Sequence, residues 1–200
     1  MRSITTIGVV VGLLALLLIG GCNYNNNFVR AEEDIKQKWS DVETQYQRRA
    51  DLIGNLVKTV EGSANFERST LESVVNARAR ATSINIDPSN ITADQLAEFQ
   101  AAQGQLSQGL GRLLANFEAY PELRSTQGFR DLMTQLEGTE NRIATARRNF
   151  NEEVTKYNKK VRVFPGSLFA SVFGFDTHAQ FESDEGSDQA PEVNFDSLND

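Results

Sequence analysis

The chain has 200 residues and carries 20 Lys and Arg against 27 Asp and Glu, a net charge of −7. An acidic chain does not grip a phosphate backbone through its overall field, which argues against nucleic acid as a partner. A single cysteine and a single histidine exclude a disulfide framework, a Cys-rich zinc site and a His-based cluster, so no metal and no cofactor is implied; the length sets one domain with appendages.

Residues 3–29 carry no charge, and their apolar part runs from Ile7 to Ile19 behind Arg2. A basic start, a short apolar stretch and small residues before a break describe a secretory signal peptide. Leu18-Ile19-Gly20-Gly21-Cys22 is similar to the bacterial lipobox, in which the cysteine thiol is acylated and the chain is cut just before it. Residues 1–21 then read as a lipoprotein signal peptide and Cys22 as the lipidation site. The alternative is an uncleaved single-pass anchor, since Ile4 to Gly21 comes close to the shortest span of a bilayer. Either attaches the chain to a membrane. Arg2 ahead of the apolar stretch, against a mixed-sign flank of Arg30, Glu32, Glu33, Asp34 and Lys36, places the body outside the cytoplasm. Residues 22–27, rich in asparagine, read as a polar tether.

From Phe28 the apolar period is helical. Ile35, Trp39, Val42, Tyr46, Ala50, Ile53, Val57 and Val60 follow one another at steps of three or four, one face of an α-helix. Gly62 and Asn65 interrupt it. A second helix is expected from Phe66 to Ile84, ended by Asp87-Pro88-Ser89-Asn90. Thr92-Ala93-Asp94-Gln95 reads as a capping box, opening a helix with Leu96, Phe99, Leu106, Leu110, Leu113 and Phe117 on one face. Pro121 restarts the chain. The longest stripe follows: Phe129, Leu132, Leu136, Thr139, Ile143, Ala146, Phe150, Val154, Tyr157, Val161 and Phe164, closed by Pro165-Gly166. Leu168, Phe169, Val172, Phe173 and Phe175 are expected to plug the bundle end. After Phe175 there are eight acids and no Lys or Arg, so 176–200 reads as a disordered acidic tail.

The expected fold is all-α: an up-and-down antiparallel bundle of four helices, 28–61, 66–84, 92–119 and 127–164, joined by short loops. In the alternative the first two form one long, kinked helix, giving three. That helix, 28–84, would reach about 85 Å, and 92–119 would return only about 42 Å of it. The four-helix arrangement leaves less apolar surface exposed; a homo-oligomer would rescue the other.

Several segments resemble the LemA family of small bacterial membrane proteins. They are Gln47 to Val57, Tyr120-Pro121-Glu122-Leu123, and Leu136 to Ala144 followed by Ala146-Arg147 and Phe150-Asn151; Pro191-Glu192-Val193-Asn194-Phe195 is similar to a tail seen in some members. The resemblance covers about 28–165 plus that tail, and makes 28–175 a LemA-like helical bundle. It departs at Gly54, where the family usually has Pro. It implies an anchored helical protein of the cell envelope and supplies no reaction.

The polar residues of these segments are the candidate site. In the four-helix arrangement Arg49 lies about 18 Å below the top of the first helix and Glu140 about 20 Å below that of the last. The two should meet in a partly buried ionic layer, completed by Arg48, Asp51, Glu137, Asn141 or Arg147. Arg48, Arg49, Asp51, Asn55 and Arg142 are also candidates for contact with a partner. Glu137 and Glu140 share a helix face, but a di-iron centre needs Glu-x-x-His motifs, and the only histidine, His178, lies in the tail. No phosphate loop, Gly-x-Ser-x-Gly or Cys–His pair is present. Lys156, Lys159, Lys160 and Arg162 suit a helix C-terminus; lipid headgroups are their alternative partner. Three classes of function remain: a non-enzymatic anchored scaffold with a protein partner, which is the reading adopted, an envelope enzyme with an unrecognised site, or a lipid-binding, membrane-shaping module.

Overall fold

A computed structural model describes residues 2–61 and 67–182, and within them the side chains of all but 2–11, 13–19, 118 and 123. The protein is an all-α bundle built on α1 (Arg2–Glu61), α2 (Arg68–Ser83), α3 (Ala93–Asn116) and α5 (Gln127–Arg162). Two short helices, α4 (Pro121–Arg124) and α6 (Gly166–Phe173), and a 3-10 turn at Phe117–Ala119 raise the count above the expected four. The extra elements sit where proline and glycine break the period: Pro121 opens α4 at a position where a missing N–H costs nothing.

Helices α1 and α2 are separate, so the single helix over 28–84 does not form. The Arg78 guanidinium of α2 lies against Gly54 of α1 and its Nε donates to the Ala50 carbonyl at 2.7 Å, a contact only an antiparallel return allows. Thr92 caps α3 as expected: its hydroxyl accepts from the Gln95 N–H at 3.3 Å, and the Gln95 side-chain oxygen accepts from the Thr92 N–H at 3.0 Å. Thr126 caps α5 in the same way, accepting from the Phe129 N–H.

Two expectations are corrected. The asparagine-rich stretch 22–27 is not a tether; α1 runs through it. Asparagine is a weak helix former, but Tyr24 stacks on Phe169 of α6 with ring centroids 4.8 Å apart and Phe28 is fully buried, so one-sided packing carries the weak formers. Nor is the chain loose from residue 176. Residues 175–182 form an extended strap laid along α5. Gly174, at φ 77°, makes the left-handed turn out of α6 that a residue with a Cβ resists. Asn158 holds the backbone of His178 with both ends of its amide. Asn151 holds Phe181 likewise, and the Ala179 N–H donates to the Ile91 carbonyl at 3.1 Å. The remainder of the expected tail, 183–200, lies outside the described residues.

The core is in two parts. One joins Phe28 to Tyr46 of α1 with Ile143 to Val161 of α5, closed by Ile86, Ile91, Leu96, Phe99 and Phe181. The other joins Leu52 to Val60 with α2, the later half of α3, Phe129 and Leu136. The division follows from lengths. At ~1.5 Å per residue, α2 and α3 are about 24 and 36 Å long beside an α5 of about 54 Å. The uncovered half is closed by the 84–91 loop and the strap. Phe181 stacks on Trp39 at 6.0 Å and meets Phe150 edge-on at 5.5 Å, with the Arg147 guanidinium over its other side at 4.8 Å.

The strap is therefore structural. Phe181→Ala should destabilise the bundle by about 3 kcal/mol, read from the urea midpoint. His178 is buried beside Tyr157. Burial pushes its imidazole below the ordinary value of 6.5, with Lys36 acting the same way and Asp176 opposing. The unfolded chain thus takes up the proton first. Stability should be complete above pH 6.5 and fall as the pH drops through the lowered value. His178→Phe should flatten this part of a urea-midpoint against pH profile.

Candidate functional site

The boundary between the two cores is polar. Arg49 of α1 points inward with only 4% of its surface exposed. Its Nη1 donates to Glu140 Oε1 of α5 at 3.2 Å and to Ser107 Oγ of α3 at 3.1 Å. Its Nη2 donates to Gln103 Oε1 of α3 at 2.5 Å. The guanidinium lies over the Tyr46 ring at 5.0 Å, a cation–π contact. Gln103 continues the chain of bonds, its amide nitrogen donating to the Ala81 carbonyl at the end of α2. One hydrogen-bonded layer therefore touches all four long helices. Arg49 Nε finds no hydrogen-bond partner among the described residues, and Glu140 keeps 49% of its side chain in solvent, so the ion pair is screened on one side.

The layer is completed by Gln103 and Ser107, not by the residues expected. Arg48 is one residue from Arg49, about 100° round the helix, and faces solvent. Asp51 is exposed, accepting from Gln47 at 3.1 Å and from Arg78 at 3.5 Å. Glu137, Asn141 and Arg142 are exposed on α5; the latter two line a shallow hollow of about 330 Å³ with Asp41 and Gln45. Arg147 belongs to the strap, donating to the Glu182 carbonyl at 3.0 Å. Gln103 was legible in principle. It occupies the missing step of the α3 stripe between Phe99 and Leu106, and a polar side chain at a core step must be hydrogen-bonded.

Arg48, Asp51 and Asn55 share a different place. With Glu43, Gln47, Leu52, Ile84 and Phe99 they line an open groove of about 880 Å³ between α1 and the end of α2. Its walls mix apolar and polar groups. Among the described residues no group of three His, Cys, Asp or Glu could hold a metal ion.

Residues 38–195, including every segment of the polar layer and groove contributed by α1, α2, α3 and α5, match the LemA family. The chain belongs to the LemA family. Among its relatives are magnetosome proteins MamQ 2 and MamQ 1 of Paramagnetospirillum magneticum, each 30% identical over 90% of this chain and 71% of the relative. Protein LemA of Metamycoplasma hominis is 22% identical over 88% of this chain and 75% of the relative. Membership makes the chain an envelope-associated helical protein of a non-catalytic family. Among the described residues no helix is long and apolar enough to cross a membrane.

The polar layer of this LemA-family protein should behave as a coupled unit. Arg49→Met and Glu140→Leu should each destabilise, and the pair together should cost about 1 kcal/mol less than their sum. Gln103→Leu, which strands an Arg49 donor and the Ala81 carbonyl at once, should cost about 2–3 kcal/mol. Urea unfolding of these four variants beside the wild type measures both.

Proposed function

We propose that the protein is a membrane-anchored, non-enzymatic scaffold that binds a protein partner in the α1–α2 groove. The observation that carries this is the division of labour within one motif segment. Arg49 spends its guanidinium on Glu140, Gln103 and Ser107, while Arg48 and Asn55 of the same segment stand exposed in an open groove. Such a groove, with mixed walls and a partly apolar floor at Leu52 and Phe99, suits a protein surface better than a small substrate, which wants an enclosed pocket. The relatives named for the magnetosome support work within an assembly.

Anchorage is proposed through Cys22. Its side chain is exposed and follows the small pair Gly20-Gly21, where a lipoprotein peptidase cuts. The bundle then stands outside the cytoplasm. Intact-mass analysis of membrane-extracted protein should show the loss of 1–21 and the mass of the lipid; Cys22→Ser should leave an uncleaved precursor. Retention of 1–21 by the wild type would refute the lipid anchor.

A photo-crosslinking residue at Arg48 or Asn55 in the intact cell tests the groove. A discrete heterologous adduct from these positions, missing from Arg142, which lines a different hollow, is the expected result. The same adducts from all three positions, or none from the groove, would sink the proposal.

A further inference from the structure

One corner of this acidic chain is basic. From Val154 to Phe175 there are Lys156, Lys159, Lys160 and Arg162 and no Asp or Glu. Lys156 pairs with Glu153 at 2.7 Å. Lys159, Lys160 and Arg162 close α5 and face solvent. The chain then folds back sharply into α6, so tightly that a Cβ at Gly166 would collide with the Lys160 carbonyl.

The apolar cluster expected to plug the bundle end does so on one side only. Ala170 is buried, Phe169 stacks on Tyr24 and Phe175 packs on Phe28 at 5.0 Å. The other side is bare. Phe164 is 78% exposed, Val172 70%, Val163 61%, Leu168 53% and Phe173 44%. A helix C-terminus accounts for three cations. It does not account for five large apolar side chains left in water beside them.

Position supplies the occupant. The rings of Phe169 and Phe173 lie over Gly20 and Gly21, 3.5–3.8 Å from where a Cβ there would stand. Helix α6 is therefore level with Cys22 and with the end of the apolar stretch Ile7–Ile19. Whether acyl chains on Cys22 or that stretch itself enters the bilayer, the membrane surface falls at α6. Cutting before Cys22 would also strip Gly20 and Gly21 from Phe169 and Phe173 and bare them further.

We propose that α6 and the last turn of α5 form a monotopic membrane contact. Val163, Phe164, Leu168, Val172 and Phe173 enter the interfacial layer of an anionic phospholipid bilayer, and Lys159, Lys160 and Arg162 engage its phosphates. With the anchor at Cys22 this makes a second point of attachment, which fixes the tilt of the bundle. The groove is then held at a set height: Arg48 lies about 39 Å along α1 from Cys22. The contact goes beyond the scaffold reading and rests only on the membrane lying at the Cys22 end.

The test uses the full chain reconstituted into vesicles with acyl-brominated lipid, containing one quarter phosphatidylglycerol or none. Val172→Trp reports on α6, and Val75→Trp on exposed α2 serves as the distant control; native Trp39 is buried and sets the background. With phosphatidylglycerol the Val172→Trp emission should be blue-shifted and roughly halved by bromine, and Val75→Trp nearly unchanged. Replacing Lys159, Lys160 and Arg162 together by Gln should reduce the quenching about threefold. Vesicles that float with the protein while Val172→Trp is quenched no more than Val75→Trp would overturn the contact and leave the anchor standing. A chain that does not float overturns both. A blue shift without quenching that grows with protein density would assign the surface to a second copy, and overturn the proposal as well.

Discussion

A guanidinium that has left water must be met by acceptors in the directions its fork dictates, or its burial costs several kcal/mol. Arg49 imposes that condition on this bundle. Its apolar neighbours would tolerate α5 sliding past α1 by one turn, about 5.4 Å, because stripe would still face stripe. Arg49 would not, since Glu140 would leave its reach while Gln103 and Ser107 stayed. The layer sits where the two cores part, between Tyr46 and Leu52 on α1. Its value lies in register more than in net stability, because desolvation offsets much of the attraction.

The two halves on either side of that layer are closed differently. Around Leu52 to Val60, α2 and α3 supply continuous helix faces. Around Phe28 to Tyr46 the cover is assembled from a loop, a short helix and the strap, each fixed by a few specific contacts: Ile91 to Ala179, Asn151 to Phe181 and Asn158 to His178. Asparagine suits this work because its amide offers a donor and an acceptor to one extended backbone.

Helical periodicity explains how one short segment serves two purposes. Residues 48 and 49 are a third of a turn apart, so one meets the core and the other the groove. Gly54 shows the same economy. The Arg78 guanidinium rests against it, with its carbon 3.3 Å from where a Cβ would stand, and donates to the Ala50 carbonyl. A Cβ at that position would crowd the guanidinium, so the bare glycine lets α2 bring its donor onto α1.

Helix existence and facing were determined locally. The three-and-four spacing of Ile35 to Val60 and of Phe129 to Val161, the Thr92–Gln95 capping box and the break after Glu61 are read within a few residues of chain, because helical hydrogen bonds and caps span only a few residues. The height match of Arg49 and Glu140 was also legible, since it needs only helical rise and an antiparallel return. What closes the rest was not. The α3 stripe marks Gln103 as a buried polar group, but that it and Ser107 bond Arg49, that weak helix formers at 23–27 hold a helix, and that an acidic stretch through His178 and Phe181 docks on α5 depend on partners dozens of residues away. Composition alone assigns such a stretch to solvent. Only the assembled cleft beside Trp39 and Phe150 offers Phe181 enough buried surface to offset the entropy of ordering it.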